Sequence, residues 1–116
     1  MKRNPILFLE DMLESIRLIK RFSKGLDREK FMKNELRQNA IIRQFEIIGE
    51  AAKHLPDSFR KKYPKVPFRE ISGFRDVLIH AYFGADLERI WRVLERDLPE
   101  LKKNLKEIIA KETNIN

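Results

Sequence analysis

Ile41-Ile42-Arg43-Gln44-Phe45-Glu46-Ile47-Ile48-Gly49-Glu50-Ala51-Ala52-Lys53-His54-Leu55 is the stretch that decides the fold. Ile41, Phe45, Ile48, Ala52 and Leu55 recur at intervals of three and four residues, which aligns them on one face of an α-helix. Phe31 extends the stripe upstream. With Asp27 as a cap, the pattern predicts one long helix from Arg28 to about Leu55. Gly49 and Ala51 are small, so a neighbouring helix can approach closely there. Pro56 ends the run.

Outward from this segment the pattern stays helical. On the N-terminal side, Asn4 followed by Pro5 reads as an N-cap with proline in the first turn. Ile6, Leu9, Leu13, Ile16 and Ile19 then mark a first helix to about Phe22, and Ser23-Lys24-Gly25 closes it. On the C-terminal side, Asp57 to Tyr63 makes one short helical stretch before Pro64. A third long helix begins near Phe68 or Arg69, carries Ile71, Phe74, Leu78 and Ala81 on its apolar face, and stops at Gly84. Asp86 caps the last helix, whose stripe is Leu87, Ile90, Trp91, Leu94, Leu98, Leu101, Leu105 and Ile108. Pro99 interrupts that stripe without breaking its phase, which predicts a kinked helix or two collinear ones. No segment alternates apolar and polar residues as a strand would. The expected fold is all-α: an antiparallel four-helix bundle with a short extra helix and a kinked C-terminal helix, in a single domain spanning residues 1–116.

Composition narrows the function. There is no cysteine, so disulfides, thiolate metal sites and cysteine nucleophiles are excluded. His54 and His80 are the only histidines. That is too few for a zinc site, and neither follows a Glu at the spacing a di-iron bundle uses. Gly73 is isolated, so no glycine-rich phosphate loop is visible. No apolar run reaches the ~20 residues of a membrane span, and the expected location is the cytoplasm. The net charge is +7, divided as +3 over residues 1–58 and +4 over residues 59–116. Such an excess suits a polyanion such as RNA, or an acidic partner; a solvated, salt-bridged helical surface accounts for it equally simply. Arg60, Lys61, Lys62, Lys65 and Arg69 concentrate charge in one connector, with Phe59, Tyr63 and Phe68 interleaved. Two readings stay open for that cluster. One is a surface that tracks phosphates and stacks bases, hence a candidate RNA-binding element. The other is a solvated loop whose aromatics plug the end of the bundle.

The chemistry-bearing segment is Gly73-Phe74-Arg75-Asp76-Val77-Leu78-Ile79-His80-Ala81-Tyr82-Phe83-Gly84. An imidazole can take a proton from a ribose 2′-hydroxyl or return one to the leaving oxygen. A guanidinium can hold the scissile phosphate and stabilise the charge that builds on it. A tyrosine can hydrogen-bond phosphate, stack on a base or accept a transferred group. These residue types suit RNA cleavage without a metal. A C-capping His80, an Arg75 paired with Asp76 or Glu70, and a Tyr82 in the core are the structural alternatives. Arg75 and Tyr82 lie within roughly 20° on a helix, whereas Arg75 and His80 lie roughly 140° apart. Either the helix unwinds before His80, or the site is built from two copies of the motif.

At this segment the chain resembles the HEPN superfamily, and more closely the HepT-like toxins of the HEPN/minimal-nucleotidyltransferase toxin–antitoxin modules. The family motif is Arg, four to six residues, His, any residue, Tyr. Here it reads Arg75, four residues, His80, Ala81, Tyr82. Ile47-Ile48-Gly49-Glu50-Ala51-Ala52 resembles the family's central helix. Pro67-Phe68-Arg69-Glu70-Ile71 is similar to the entry of its motif helix, and Asp86-Leu87-Glu88-Arg89-Ile90-Trp91 with Asp97-Leu98-Pro99-Glu100-Leu101 to its last helix. Where relatives commonly carry Asn after the motif arginine, this chain has Asp76, a candidate supporting residue that adds negative charge near the phosphate site.

The resemblance implies a metal-independent endoribonuclease toxin with Arg75 and His80 catalytic. It implies a homodimer through the motif helices, or a higher oligomer built on it. It also implies neutralisation by a partner nucleotidyltransferase that moves AMP from ATP onto Tyr82. No cofactor is expected on this chain itself, since ATP serves the partner. An inactive HEPN subunit that binds a nucleotidyltransferase or a nucleotide is the alternative, and a helical nucleic-acid-binding protein using the Arg60–Arg69 cluster is a third.

Overall fold

The computed structural model describes residues 3–80 and 86–114. The elements are α1 (Pro5–Phe22), α2 (Arg28–Met32), α3 (Glu35–His54), α4 (Asp57–Lys62), α5 (Phe68–His80), α6 (Leu87–Arg92), a π turn (Val93–Asp97) and α7 (Leu98–Thr113). No strand occurs among the described residues. The fold is the all-α bundle expected, 49 × 28 × 24 Å along its principal axes.

Short polar side chains set the helix starts. Asn4 Oδ1 accepts from the N–H of Ile6 at 2.9 Å, Asp27 Oδ1 from Lys30 at 2.8 Å, and Asp86 Oδ1 from Arg89 at 3.2 Å. Each satisfies a donor that the first helical turn leaves unpaired.

Helix α3 is the central element, packed between α1 and α5. Phe8 near the start of α1 lies beside His54 at the end of α3, so these two helices run antiparallel. Phe45 meets Phe74, and Gly49 meets Ile71, so α3 and α5 are antiparallel too. Helix α7 closes the bundle against α1. Every residue of the expected central stripe is buried: Phe31, Ile41, Phe45, Ile48, Ala52 and Leu55. Leu9, Met12, Ile16 and Ile19 of α1 and Leu105 and Ile108 of α7 join them. Each large apolar side chain removed from water contributes about 1.5–3 kcal/mol.

One detail differs from the sequence reading, and two that it left open become definite. The single helix expected over residues 28–55 is two helices, separated at Lys33 and Asn34. Asn34 caps α3 by accepting from the N–H of Arg37 at 3.0 Å, and Gln38 Nε2 donates to the carbonyl of Phe31 at 2.8 Å. These side-chain bonds satisfy backbone groups that a continuous helix would have paired internally. Leu36, just past the break, is 81% exposed.

The irregularity before Pro99 takes the form of the π turn. Pro99 has no N–H to give to a carbonyl one turn back, and the N–H of Leu98 reaches instead to the carbonyl of Val93, five residues away. The last helix therefore continues through the proline with one turn widened.

Of the two readings left open for the aromatics of the basic connector, burial selects the plug. Phe59, Tyr63 and Phe68 are buried, so they close the end of the bundle and offer no ring for base stacking. The expected end of the third helix, from Ala81 to Gly84, lies outside the described residues. No helix among the described residues is long and apolar enough to cross a membrane.

Candidate functional site

Helix α5 carries the motif, and α3 positions it. The notch at Gly49 lets the α5 backbone come close: the carbonyl oxygen of Ile71 and the Cα of Arg75 stand 3.1 and 3.3 Å from where a β-carbon on Gly49 would be. Arg75 is thereby pressed against α3. Its Nε lies 2.7 Å from Glu50 Oε2, and its Nη1 donates to Asp76 Oδ1 at 3.3 Å. The side chain is 24% exposed, so the guanidinium is held by two carboxylates yet still reached by solvent. Of the partners the sequence offered, Asp76 is one; Glu50, from the neighbouring helix, was not among them.

Helix α5 does not unwind before its last residue, His80. The two motif positions therefore stand about 140° apart around a regular helix. The side chain of His80, and all of Tyr82, lie outside the described residues. Among the described residues the outer face of α5 is bare: Gly73 has nothing within 4 Å of a β-carbon placed on it, and Val77 is 46% exposed. Helical spacing puts position 80 in register with Gly73, seven residues earlier.

Arg75, beside Glu50, joins the lining of a groove of about 500 Å³ between α1 and α3. Arg43, Glu46, Glu50 and His54 line its α3 side at intervals of three and four residues, a polar stripe turned away from the core stripe. His54 Nδ1 sits 2.9 Å from the carbonyl oxygen of Glu50, as a donor would, and 3.5 Å from the same residue's carboxylate. Its ring stacks on Phe8 with centroids 5.9 Å apart. The sequence reading counted His54 only against a zinc or di-iron site. The periodicity of residues 43, 46, 50 and 54 was the signal that groups it with Glu50 and hence with Arg75.

The basic connector lies at the other end of α5. Arg69 is six residues before Arg75, about 9 Å along the axis. Three of its five cations already have carboxylate partners: Arg60 pairs with Asp57, Lys62 Nζ lies 2.8 Å from Glu112, and Lys65 Nζ 3.7 Å from Glu107. Lys61 and Arg69 are exposed and pair with no carboxylate among the described residues. Tyr63 hydroxyl donates to Glu112 as well. Burial, then this bond, pushes the Tyr63 phenol above its ordinary pKa. Hydrogen bonds from Lys62 and Tyr63 hold the Glu112 carboxyl below the usual range. This constellation ties α7 to the connector and is structural.

A separate cavity of about 420 Å³ lies between α3, α5 and the C-terminal helices, walled by Phe45, Ile71, Phe74 and Leu101. Asn104 on its wall is 6% exposed, with its Oδ1 unpaired. It contains none of the motif residues. Among the described residues no three His, Asp or Glu side chains gather as a metal site would require.

The chain matches the family described as Ribonuclease HepT-like over residues 12–108, and belongs to it. It is 44% identical over 102 residues to "Probable ribonuclease HepT" of Thermococcus cleftensis, covering 88% of this chain and 93% of that protein. It is 44% identical over 110 residues to "Putative RNase TTE0752" of Caldanaerobacter subterraneus subsp. tengcongensis, covering 95% and 98%. It is also 43% identical over 108 residues to "Putative RNase MJ1216" of Methanocaldococcus jannaschii, covering 93% and 89%. No solved structure matches.

Proposed function

We propose that this ribonuclease is the toxin of a toxin–antitoxin pair, and that it cuts RNA without a metal through Arg75 and His80 of two subunits. The reaction uses the ribose as its own nucleophile. One imidazole takes the proton of the 2′-hydroxyl, and the oxygen attacks the adjacent phosphorus. The bond to the 5′-oxygen breaks, a second imidazole supplies that oxygen with a proton, and a 2′,3′-cyclic phosphate remains. The Arg75 guanidinium stabilises the charge on the phosphoryl oxygens.

The observation that carries this reading is the placement of Arg75. It is held against α3 by Glu50 while the helix runs regularly on to His80. One copy then holds the two positions on different faces, and a second copy against the bare face at Gly73 and Val77 supplies the missing half. The resemblance of the motif around Tyr82 supports neutralisation by modification. A partner nucleotidyltransferase moves AMP from ATP onto the Tyr82 hydroxyl and releases pyrophosphate. The added anion then repels the RNA backbone.

The test is purified protein on a mixed-sequence RNA in the presence of a chelator. Cleavage is expected to persist in wild type and to be lost in Arg75→Ala and His80→Ala. Co-expression with a candidate partner is expected to restore growth and to add the mass of AMP to the Tyr82 peptide. Wild-type protein that cuts no RNA yet binds the nucleotidyltransferase would replace this reading with the inactive-subunit one.

A further inference from the structure

We propose that the groove between α1 and α3 is a base-recognition subsite that takes a guanine of the RNA strand next to the cut. The inference rests on the reading of RNA as the substrate of Arg75.

The charges in the groove decide what it can hold. Arg3 is paired with Asp11 at 2.6 Å and Arg75 with Glu50 at 2.7 Å. Arg43 and Glu46 have no ion partner among the described residues. One open cation and one open carboxylate leave the groove close to neutral. A track for the sugar–phosphate backbone would need an excess of cations, because each phosphate it follows carries a charge. A neutral, flat, hydrogen-bonding group suits the groove better.

The stacking surface is His54. Its ring lies against Phe8, and Phe8 is itself engaged by the Arg3 guanidinium 4.8 Å from its centroid. The imidazole is fixed from behind and its side chain remains 53% exposed. A supported, half-open ring is what a base stacks on.

The polar groups choose the base. The Glu46 carboxylate has two acceptor oxygens and no donor. Guanine alone offers two adjacent donors, N1–H and the N2 amino group, that one carboxylate can accept together. Adenine and cytosine each present an amino group beside an acceptor, and uracil a single N–H. Arg43, one turn before Glu46 on the same stripe, supplies the forked donor that suits guanine O6 and N7. Arg75 on the lining of the same groove then puts this base beside the phosphate it holds.

Binding and cutting are measured separately. Four labelled 2′-deoxy pentanucleotides, identical except for the central base, are titrated by anisotropy; they cannot be cleaved by a 2′-hydroxyl mechanism. Guanine is expected to bind at least about tenfold more tightly than the others, a preference lost in Glu46→Gln. His54→Ala is expected to weaken all four by about tenfold, and His54→Phe to restore them. Equal affinity for the four bases, or a guanine preference that survives Glu46→Gln, overturns the proposal; circular dichroism confirms that each variant is folded. In parallel, cuts in a mixed-sequence RNA are mapped. Selective guanine binding with intact RNA leaves the subsite standing and removes the nuclease mechanism. Cutting with no base preference, and a map unchanged in Glu46→Gln, removes the subsite and leaves the mechanism.

Discussion

Gly49 and Arg75 are packed so closely that a β-carbon on the glycine would overlap the Cβ of the arginine. The contact links fold to site. The smallest residue on α3 sets the distance of α5, and that distance lets the next residue, Glu50, reach the arginine's Nε. A helix pair held a little further apart would keep its core stripes and lose this ion pair.

Gly49→Ala tests the notch. Alanine in a helix interior is favoured over glycine by about 1 kcal/mol. Here the gain is opposed by overlap with the α5 backbone, which cannot swing away as a side-chain tip could. Overpacking of this kind costs about 1–3 kcal/mol. The variant is expected to be less stable than wild type in urea denaturation, and its cleavage rate to fall further than its stability, because Arg75 moves with α5.

Gly73→Ala gives the opposite sign in the isolated chain. Nothing among the described residues stands within 4 Å of the added methyl, and the helix gains about 1 kcal/mol from the lost glycine freedom. At high dilution the thermal midpoint is expected to rise. If a second copy packs on this face, the same methyl is expected to weaken association in sedimentation measurements. Unchanged association would place the dimer surface elsewhere.

These two glycines show what was legible in the sequence. Gly49 sits beside a strong apolar stripe, so its smallness implied a close helix, and one is there. Glu50 as the arginine's partner was not legible: it is 25 positions upstream, and only the packing of α3 on α5 brings the two together. The break at Lys33 and Asn34 was missed because Phe31 was read into the stripe of Ile41, although ten residues of regular helix leave the two about 80° apart. The exposed Leu36 and an Asn immediately before Glu35 were the available signals, the second being the pattern of a capped helix start. The basic connector stayed open between two readings for another reason. Composition cannot tell an aromatic that faces solvent from one that plugs a bundle end, and burial assigns Phe59, Tyr63 and Phe68 to the second group.

Asn34→Ala tests the break directly. It removes the acceptor for the N–H of Arg37 and leaves the start of α3 uncapped. Loss of such a cap costs about 1 kcal/mol. Hydrogen exchange is expected to quicken at the first turn of α3 and to stay unchanged at its centre, around Ile48. Cleavage is expected to be retained, since Glu50 and Arg75 lie four turns away.

Glu112 provides a pH test of the tie between α7 and the connector. Its carboxyl is held below the ordinary range by hydrogen bonds from Lys62 and Tyr63. A group whose pKa is lower in the folded state stabilises the fold at pH values above its unfolded pKa, near 4.3, and loses that contribution as pH falls through the folded value. Wild type is therefore expected to exceed Glu112→Gln in stability at pH 7. The two are expected to converge only once the pH falls below the lowered folded value, where the wild-type carboxyl is itself protonated. Tyr63→Phe keeps the ring in the plug and removes one of the two donors, so it is expected to raise the Glu112 pKa toward the ordinary range, read from the carboxyl carbon shift in an NMR titration. A wild-type advantage that persists undiminished into acid would mean that Glu112 acts through packing of its stem and not through its charge.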